Sequence, residues 1–145
     1  MRRDTGFKSI ILILLASFVL FTFASCKQET SNTDDIIAIE KLMHYFEEPS
    51  DLEIRGLRKY VVSDKETFYY VEWGDNGEEN DETYRVLLIY TPQNGLVDLV
   101  HFADMEYGLF ANVKKQWDEI KDSPDKVFSQ QEILDIKQSA IDNLK

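Results

Sequence analysis

The spacing of apolar residues changes twice along this chain, from helical to strand-like and back to helical. Before Pro49, apolar side chains recur every three or four positions, as they do on one face of a helix. They are Ile36, Ile39, Met43 and Phe46. Between Leu52 and Phe102 the apolar period shortens towards two, and after Gly108 helical spacing returns. This order predicts an α+β domain in which an N-terminal helix precedes a sheet and C-terminal helices follow it.

Four stretches in the middle of the chain have the composition of β-strands. Each is rich in β-branched and aromatic residues, and they span residues 52–62, 67–73, 84–90 and 96–102. Gly56 marks a bulge or bend in the first stretch, and Asn94-Gly95 forms a tight turn before the last. Together these features predict a four-stranded antiparallel meander.

Two helices are predicted in the last third of the chain. In the first, Val113, Trp117 and Ile120 lie on one apolar face. In the second, Ser129 and Glu132 have the spacing of a capping box, in which each side chain bonds the backbone of the other residue. We expect both C-terminal helices to cover one face of the sheet.

The first 25 residues have the three parts of a secretory signal peptide. A basic start is followed by an apolar run over residues 10–24 and then by small residues. The run is shorter than the roughly twenty residues that a membrane-spanning helix needs. Phe23-Ala24-Ser25-Cys26 resembles the lipobox of bacterial lipoproteins, in which small residues precede a lipidated cysteine. The resemblance is confined to the leader, and it implies cleavage between Ser25 and Cys26 and lipid attachment at Cys26.

Two other fates of the leader are consistent with its sequence. Thr22 and Ala24 form a small-x-small pair, so cleavage after Ala24 would release a protein in which Cys26 is a free thiol. Alternatively the leader would stay as an uncleaved anchor, which its short apolar run disfavours. The lipobox interpretation predicts instead that acyl chains attach the protein to a bacterial membrane, with residues 26–34 as the lipidated cysteine and a flexible tether.

Residues 35–145 suffice for one domain with one core and are too few for two. The charged residues of the leader are Arg2, Arg3, Asp4 and Lys8, so the 16 basic and 27 acidic residues of the whole chain become 13 and 26 from Cys26 onward. The resulting excess of negative charge repels phosphate backbones and argues against nucleic acid as a partner. Because the chain has one cysteine, the fold depends on burial rather than on disulfides.

The sequence contains no recognisable catalytic or metal-binding motif. His44 and His101 are the two histidines, and neither has a histidine or cysteine neighbour at metal-ligand spacing. The acidic run at residues 75–82 lacks the spacing of a calcium loop and is interpreted as a solvated hairpin connection. We therefore expect a non-enzymatic protein that uses neither a cofactor nor a metal.

Function is expected among the aromatic side chains of the strands, because helices that cover one sheet face leave the other exposed. Tyr69, Val71 and Trp73 share one face and form the predicted recognition surface, with an envelope protein or a glycan as its partner. The alternative is a small envelope enzyme or ligand-pocket protein with His101 or Tyr90 at the base of a curved sheet. A third interpretation is a solubilising coat protein whose acidic surface is its role.

Overall fold

The computed structural model describes residues 33–75 and 82–145. The predicted signal peptide, Ser25 and Cys26 at the predicted cleavage site, and most of the tether lie outside the described residues, as does most of the acidic run at 75–82. Residues Asp35–Lys145 form one compact unit. Of the helices within the described ranges, none combines the length and the apolar character that crossing a bilayer requires.

An antiparallel sheet of five strands lies at the centre of the described structure. The strands are β1 (Leu52–Ser63), β2 (Glu66–Asp75), β3 (Tyr84–Thr91), β4 (Leu96–His101) and β5 (Lys126–Val127). Their order is β4-β3-β2-β1-β5. The predicted α+β class and the meander of the first four strands are confirmed, and a register shift beside Gly56 confirms the irregularity expected there. β5 was not predicted, because two residues carry no periodicity.

Four α-helices accompany the sheet in the described ranges. They are α1 (residues 33–43), α2 (Phe102–Glu106), α3 (Ala111–Ile120) and α4 (Gln130–Asn143), and a short 3-10 turn spans Pro49–Asp51. The predicted capping box begins α4. The backbone N–H of Glu132 donates to Ser129 Oγ (3.2 Å), and the backbone N–H of Ser129 donates to Glu132 Oε2 (2.8 Å). These bonds satisfy donors that have no partner inside the helix.

Helices cover both faces of the sheet. α1 and α4 pack on one face, where the core includes Ile39, Tyr69 and Ile136. α2 and α3 pack on the opposite face, where Met105 and Trp117 belong to a second core. The prediction that the two C-terminal helices cover one face is therefore wrong, since α3 and α4 lie on opposite sides.

The position of β5 explains how α3 and α4 reach different faces. β5 pairs with β1 at the edge of the sheet, for example through Arg58 and Val127. From the edge, the chain can pass from α3 on one side to α4 on the other. Both faces need this cover because side chains alternate along a strand. On β2, Tyr69 enters one core and Phe68 the other, and both are fully buried.

An aromatic cluster centred on Trp117 fills the space between α3 and the sheet. The Trp117 ring stacks on Tyr70, with ring centroids 5.4 Å apart and an interplanar angle of 10°. It meets Tyr60 and Phe102 edge-on, at centroid separations of 5.0 and 5.6 Å. Such aromatic pairs add to the energy gained by burying each ring. Trp117 therefore joins α3 to strands β1 and β2.

Tyr70 gives the protein a predicted loss of stability at alkaline pH. Burial, the hydrogen bond that its hydroxyl donates to Glu72 Oε1 (2.6 Å) and the charge of Glu72 together raise the pKa of Tyr70 to about 12. A tyrosine in the unfolded chain ionises near pH 10. The stabilisation is therefore complete below about pH 10 and is lost as the pH rises towards 12, by up to about 2–3 kcal/mol.

Urea denaturation at a series of pH values from 8 to 12 tests this expectation. The Tyr70→Phe variant should lose less stability over the alkaline range than the wild-type protein. Tyr107→Phe, at an exposed position, is the matched control and should follow the wild-type curve. An equally steep alkaline decline in Tyr70→Phe and wild type would contradict the assignment.

Candidate functional site

The predicted recognition surface lies largely inside the protein. Tyr69 and Val71 have no exposed area and belong to the core beneath α1 and α4. They cannot contact a partner, so this part of the prediction is wrong. Trp73, the third residue, packs at the border of the same core and is partly exposed. Of the three predicted residues, Trp73 alone is available at the surface.

His101 and Tyr90 do not form the base of a closed pocket, and the alternative prediction is wrong in this respect. His101 is exposed at the end of β4, directly before α2. Tyr90 is buried in the core on the α1 side. His44 is exposed just after α1. Within the described ranges, no three or more His, Cys, Asp or Glu side chains are grouped so that they could hold a metal ion.

Three aromatic rings meet at one end of the sheet. Trp73 and Tyr84 are register partners on β2 and β3, and their rings stack with centroids 4.7 Å apart at an interplanar angle of 27°. Phe46, which follows α1, meets Trp73 edge-on at 4.8 Å. The pairing of β2 with β3 therefore positions Trp73, and the end of α1 positions Phe46 beside it.

A cleft of about 250 Å³ opens next to these rings. We call it the Trp73 cleft, and its lining residues are Phe46, Glu47, Glu48, Asp51, Leu52, Trp73 and Gly74. They come from the segment after α1, from the 3-10 turn, from the start of β1 and from the end of β2. Three of the lining residues are acidic and none is basic, so the cleft joins aromatic surface to negative charge.

Two basic side chains near this region are already paired. On α4, Lys137 Nζ donates to the carbonyl oxygen of Ser50 (2.9 Å). Burial lowers the pKa of Lys137, and the negative charges of Asp51 and Glu53 act in the opposite direction. Arg55 forms an ion pair with Glu53, with 3.1 Å between Nη2 and Oε2. Lys137 keeps its positive charge and interacts with Asp51, whereas Glu47 and Glu48 are the other two acidic residues of the lining.

The indole nitrogen of Trp73, one of the lining residues, is a buried hydrogen-bond donor. Nε1 is buried, and it has no hydrogen-bond partner within the part of the chain that the structure describes. Leaving a buried donor without an acceptor costs about 1–3 kcal/mol, so folded proteins retain few such groups.

A buried charged network holds α1 against the sheet. Asp35 is only 2% exposed, and its Oδ1 accepts hydrogen bonds from Lys59 Nζ (2.9 Å) and from the Tyr69 hydroxyl (2.7 Å). Because these residues lie on α1, β1 and β2, the network fixes the helix that ends at the Trp73 cleft. Sequence reasoning missed it. The available signal was that Asp35 lies four residues before Ile39, on the apolar side of α1.

The connection between α2 and α3 exposes a second group of apolar side chains. Tyr107, Leu109 and Phe110 are 87%, 56% and 50% exposed, and Phe110 has a left-handed φ of 55°. That conformation strains a residue other than glycine by about 1–2 kcal/mol. The Trp73 cleft is the better candidate site because it combines aromatic rings, charge and a concave shape.

Comparisons with protein-family models, with curated proteins and with solved structures give no match. The geometry of the cleft and the chemistry of its residues therefore define the candidate site.

Proposed function

We propose that this protein is a lipid-anchored, non-enzymatic binding protein of the bacterial envelope, and that its ligand occupies the Trp73 cleft. The observation that carries the proposal is a cleft of about 250 Å³ in which the aromatic side chains of Phe46 and Trp73 lie beside three carboxylates.

The lining of the cleft supports recognition rather than catalysis. Its seven residues include no histidine, lysine, cysteine or serine, and its three carboxylates are exposed side chains with no nucleophile among the lining residues for them to activate. They offer instead ring surface and a few polar groups, the combination that small-ligand sites use for contact area and orientation.

The order of segments suits a binding domain held at a membrane. The lipobox resemblance implies acyl chains on Cys26, and residues 27–32, which precede α1, span at most about 22 Å when extended. α1 follows the tether and is about 16 Å long, at 1.5 Å for each residue. The Trp73 cleft lies at the C-terminal end of α1.

Occupancy of the cleft can be measured before its ligand is identified. Carbodiimide labelling, read by mass spectrometry, reports how accessible each carboxylate is. We expect Glu47 and Glu48 to be labelled roughly threefold less in isolated cell envelopes than in the purified full-length protein in detergent, as a site two-thirds occupied would be. Glu119 is exposed on α3, across the sheet from the cleft, and should be labelled equally in both samples.

A Trp73→Ala variant separates ligand binding from crowding by the membrane. In envelopes from cells that make this variant, labelling of Glu47 and Glu48 should rise to the level of the purified protein. Labelling of Glu119 should stay unchanged, and labelling of the buried Asp35 should stay low, which shows that the fold is intact. Equal labelling of the cleft carboxylates in wild-type envelopes and in purified protein would contradict the proposed function.

A further inference from the structure

We propose that the exposed face of α3 pairs with the same face of a second copy of this chain, with the two helices antiparallel about a two-fold axis. In such a dimer one surface contacts itself, so the surface has to be complementary to its own copy in charge and in apolar contacts. The pairing is independent of the Trp73 cleft, which lies on the other side of the sheet.

The charges of α3 are arranged against the dipole of the helix. Its first half carries Lys114 and Lys115. Its second half carries Asp118 and Glu119, and all four residues are exposed. A single helix favours the reverse order, because its N-terminal end has partial positive charge and its C-terminal end partial negative charge. An antiparallel second α3 places acidic residues beside the basic half of each helix, so the order that is unfavourable in one copy becomes favourable in a pair.

Two of these charged residues define the register of the pair. Asp118 already forms ion pairs with two lysines of its own chain, at 2.6 and 3.2 Å. Lys115 and Glu119 have no ion-pair partner within the described ranges. They are equally far from Trp117 along the helix, on its two sides. A two-fold axis at the level of Trp117 therefore brings Lys115 of each copy opposite Glu119 of the other.

An open groove beside α3 leaves room for a second helix. Its volume is about 400 Å³, and Ala111, Lys115 and Glu119 are among the residues that line it. The small side chain of Ala111 lets another helix approach closely. The methylene groups of Lys115 add apolar surface, while its ammonium group reaches a carboxylate at the border of the contact.

Exposed apolar side chains lie near both ends of α3. The connection between α2 and α3 supplies three of them at the start of the helix, including Tyr107. Val127, on β5 beyond the end of the helix, is 62% exposed. It shares the α3 face of the sheet, because its register partner Arg58 lies 5.6 Å from the ring of Tyr70 in the core beneath α3. In the antiparallel pair, the connection of one copy lies at the end where the other copy exposes Val127.

The size and the net charge of the protein predict a weak dimer. α3 has ten residues and is about 15 Å long, so the contact is small. The chain from Cys26 onward carries 13 basic and 26 acidic residues, which repel a second copy. At about 0.15 M ionic strength, exposed charges more than about 8 Å apart are largely screened, so the contacts between the helices dominate. We expect a Kd of about 1–10 μM. Carboxylate labelling at protein concentrations above this Kd keeps Glu119 in the same environment in both samples.

Sedimentation equilibrium of the full-length protein tests the dimer and its register. The protein is kept in a non-ionic detergent whose density matches that of the buffer, with micelles in excess so that two chains do not share one by chance. The wild-type protein should show a monomer–dimer equilibrium. Lys115→Glu and Glu119→Lys should each weaken it at least about tenfold, because each places like charges opposite each other at two positions.

Combining the two substitutions separates a lost charge contact from a damaged fold. The double variant, in which the two charges are exchanged, should recover most of the lost affinity. An equimolar mixture of the two single variants should form heterodimers in preference to homodimers. Lys41→Glu changes the net charge by the same amount as Lys115→Glu, at an exposed position on α1, and should leave the dimer unchanged.

A substitution in the apolar connection tests the remaining contact. Phe110→Gly suits the left-handed φ of 55°, so the fold is retained while the exposed ring is lost, and the dimer should weaken at least about threefold. The proposal is overturned if the wild-type protein is monomeric at about 100 μM, well above the expected Kd. It is also overturned if either single charge variant dimerises as tightly as wild type, or if the double variant regains no affinity.

Discussion

Replacement of Asp35 by alanine is expected to lower the free energy of unfolding by about 3–5 kcal/mol, as removal of one partner from a buried ion pair does. Asp35 Oδ1 is the acceptor for both Lys59 Nζ and the Tyr69 hydroxyl. The Lys59 side chain is only 14% exposed, so without Asp35 its positive charge would remain in a poorly solvated site. Urea denaturation of the full-length protein, followed by near-ultraviolet circular dichroism, measures the change.

A second substitution shows whether the unpaired lysine causes the loss. Lys59→Met in the Asp35→Ala background removes the unpaired ammonium of Lys59 and should recover most of the lost free energy of unfolding. Asp118→Ala serves as the control, because Asp118 forms ion pairs with Lys114 and Lys121 that are exposed to solvent. It should change stability little. A small effect of Asp35→Ala, or no recovery in the double variant, would show that this network does not hold α1 in place.

Trp117→Ala should destabilise the protein by a similar amount, about 3–5 kcal/mol, the usual range for removing a buried aromatic side chain. Trp117 is buried between α3 and the sheet and contacts the rings of Tyr60, Tyr70 and Phe102. Its removal leaves a cavity on the α3 side and separates three rings that pack around it. Thermal and urea denaturation both report the loss.

Matched variants make the test of Trp117 specific. Trp117→Phe keeps one ring in the cluster and should lose less stability than Trp117→Ala. Leu134→Ala removes a side chain from α4 that is 56% exposed, and should change stability by less than about 1 kcal/mol. If Trp117→Ala were as mild as Leu134→Ala, α3 would not depend on this aromatic cluster for its attachment to the sheet.

The elements that could be predicted from the sequence are those with strong local patterns. The first four strands carry long apolar and aromatic runs separated by turn residues, and they are confirmed. The beginning of α4 is confirmed at the level of individual hydrogen bonds, because the pattern from Ser129 to Glu132 is a property of the local chain. Each of these elements can be predicted from the residues of its own segment, without knowing which distant segments pack against it.

The arrangement of helices around the sheet could not be predicted in the same way. Alternation along β2 shows that Tyr69 and Tyr70 face opposite directions, but it does not show which direction meets solvent when both are aromatic. The deciding element is β5, a two-residue strand that takes the chain round the sheet edge between α3 and α4. Both faces are consequently covered, and the expected surface at Tyr69 and Val71 is core.

The candidate site and the buried network depend on contacts between residues far apart in sequence. Trp73 was predicted to take part in recognition, but its neighbours Phe46 and Glu48 come from a segment more than twenty residues earlier. Asp35 meets Lys59 and Tyr69 across similar separations. Such contacts become visible once the register of β1, β2 and β3 is known, because the register decides which side chains share an end of the sheet.

Attachment of lipid to Cys26 is tested most directly by the intact mass of the protein from the membrane fraction of its host, compared with that of a Cys26→Ser variant. We predict that the wild-type mass equals that of residues 26–145 plus acyl chains, and that the variant lacks the acyl mass and leaves the membrane fraction. A wild-type protein recovered in soluble form with an unmodified thiol, or with residues 1–25 still joined, would contradict the lipid anchor.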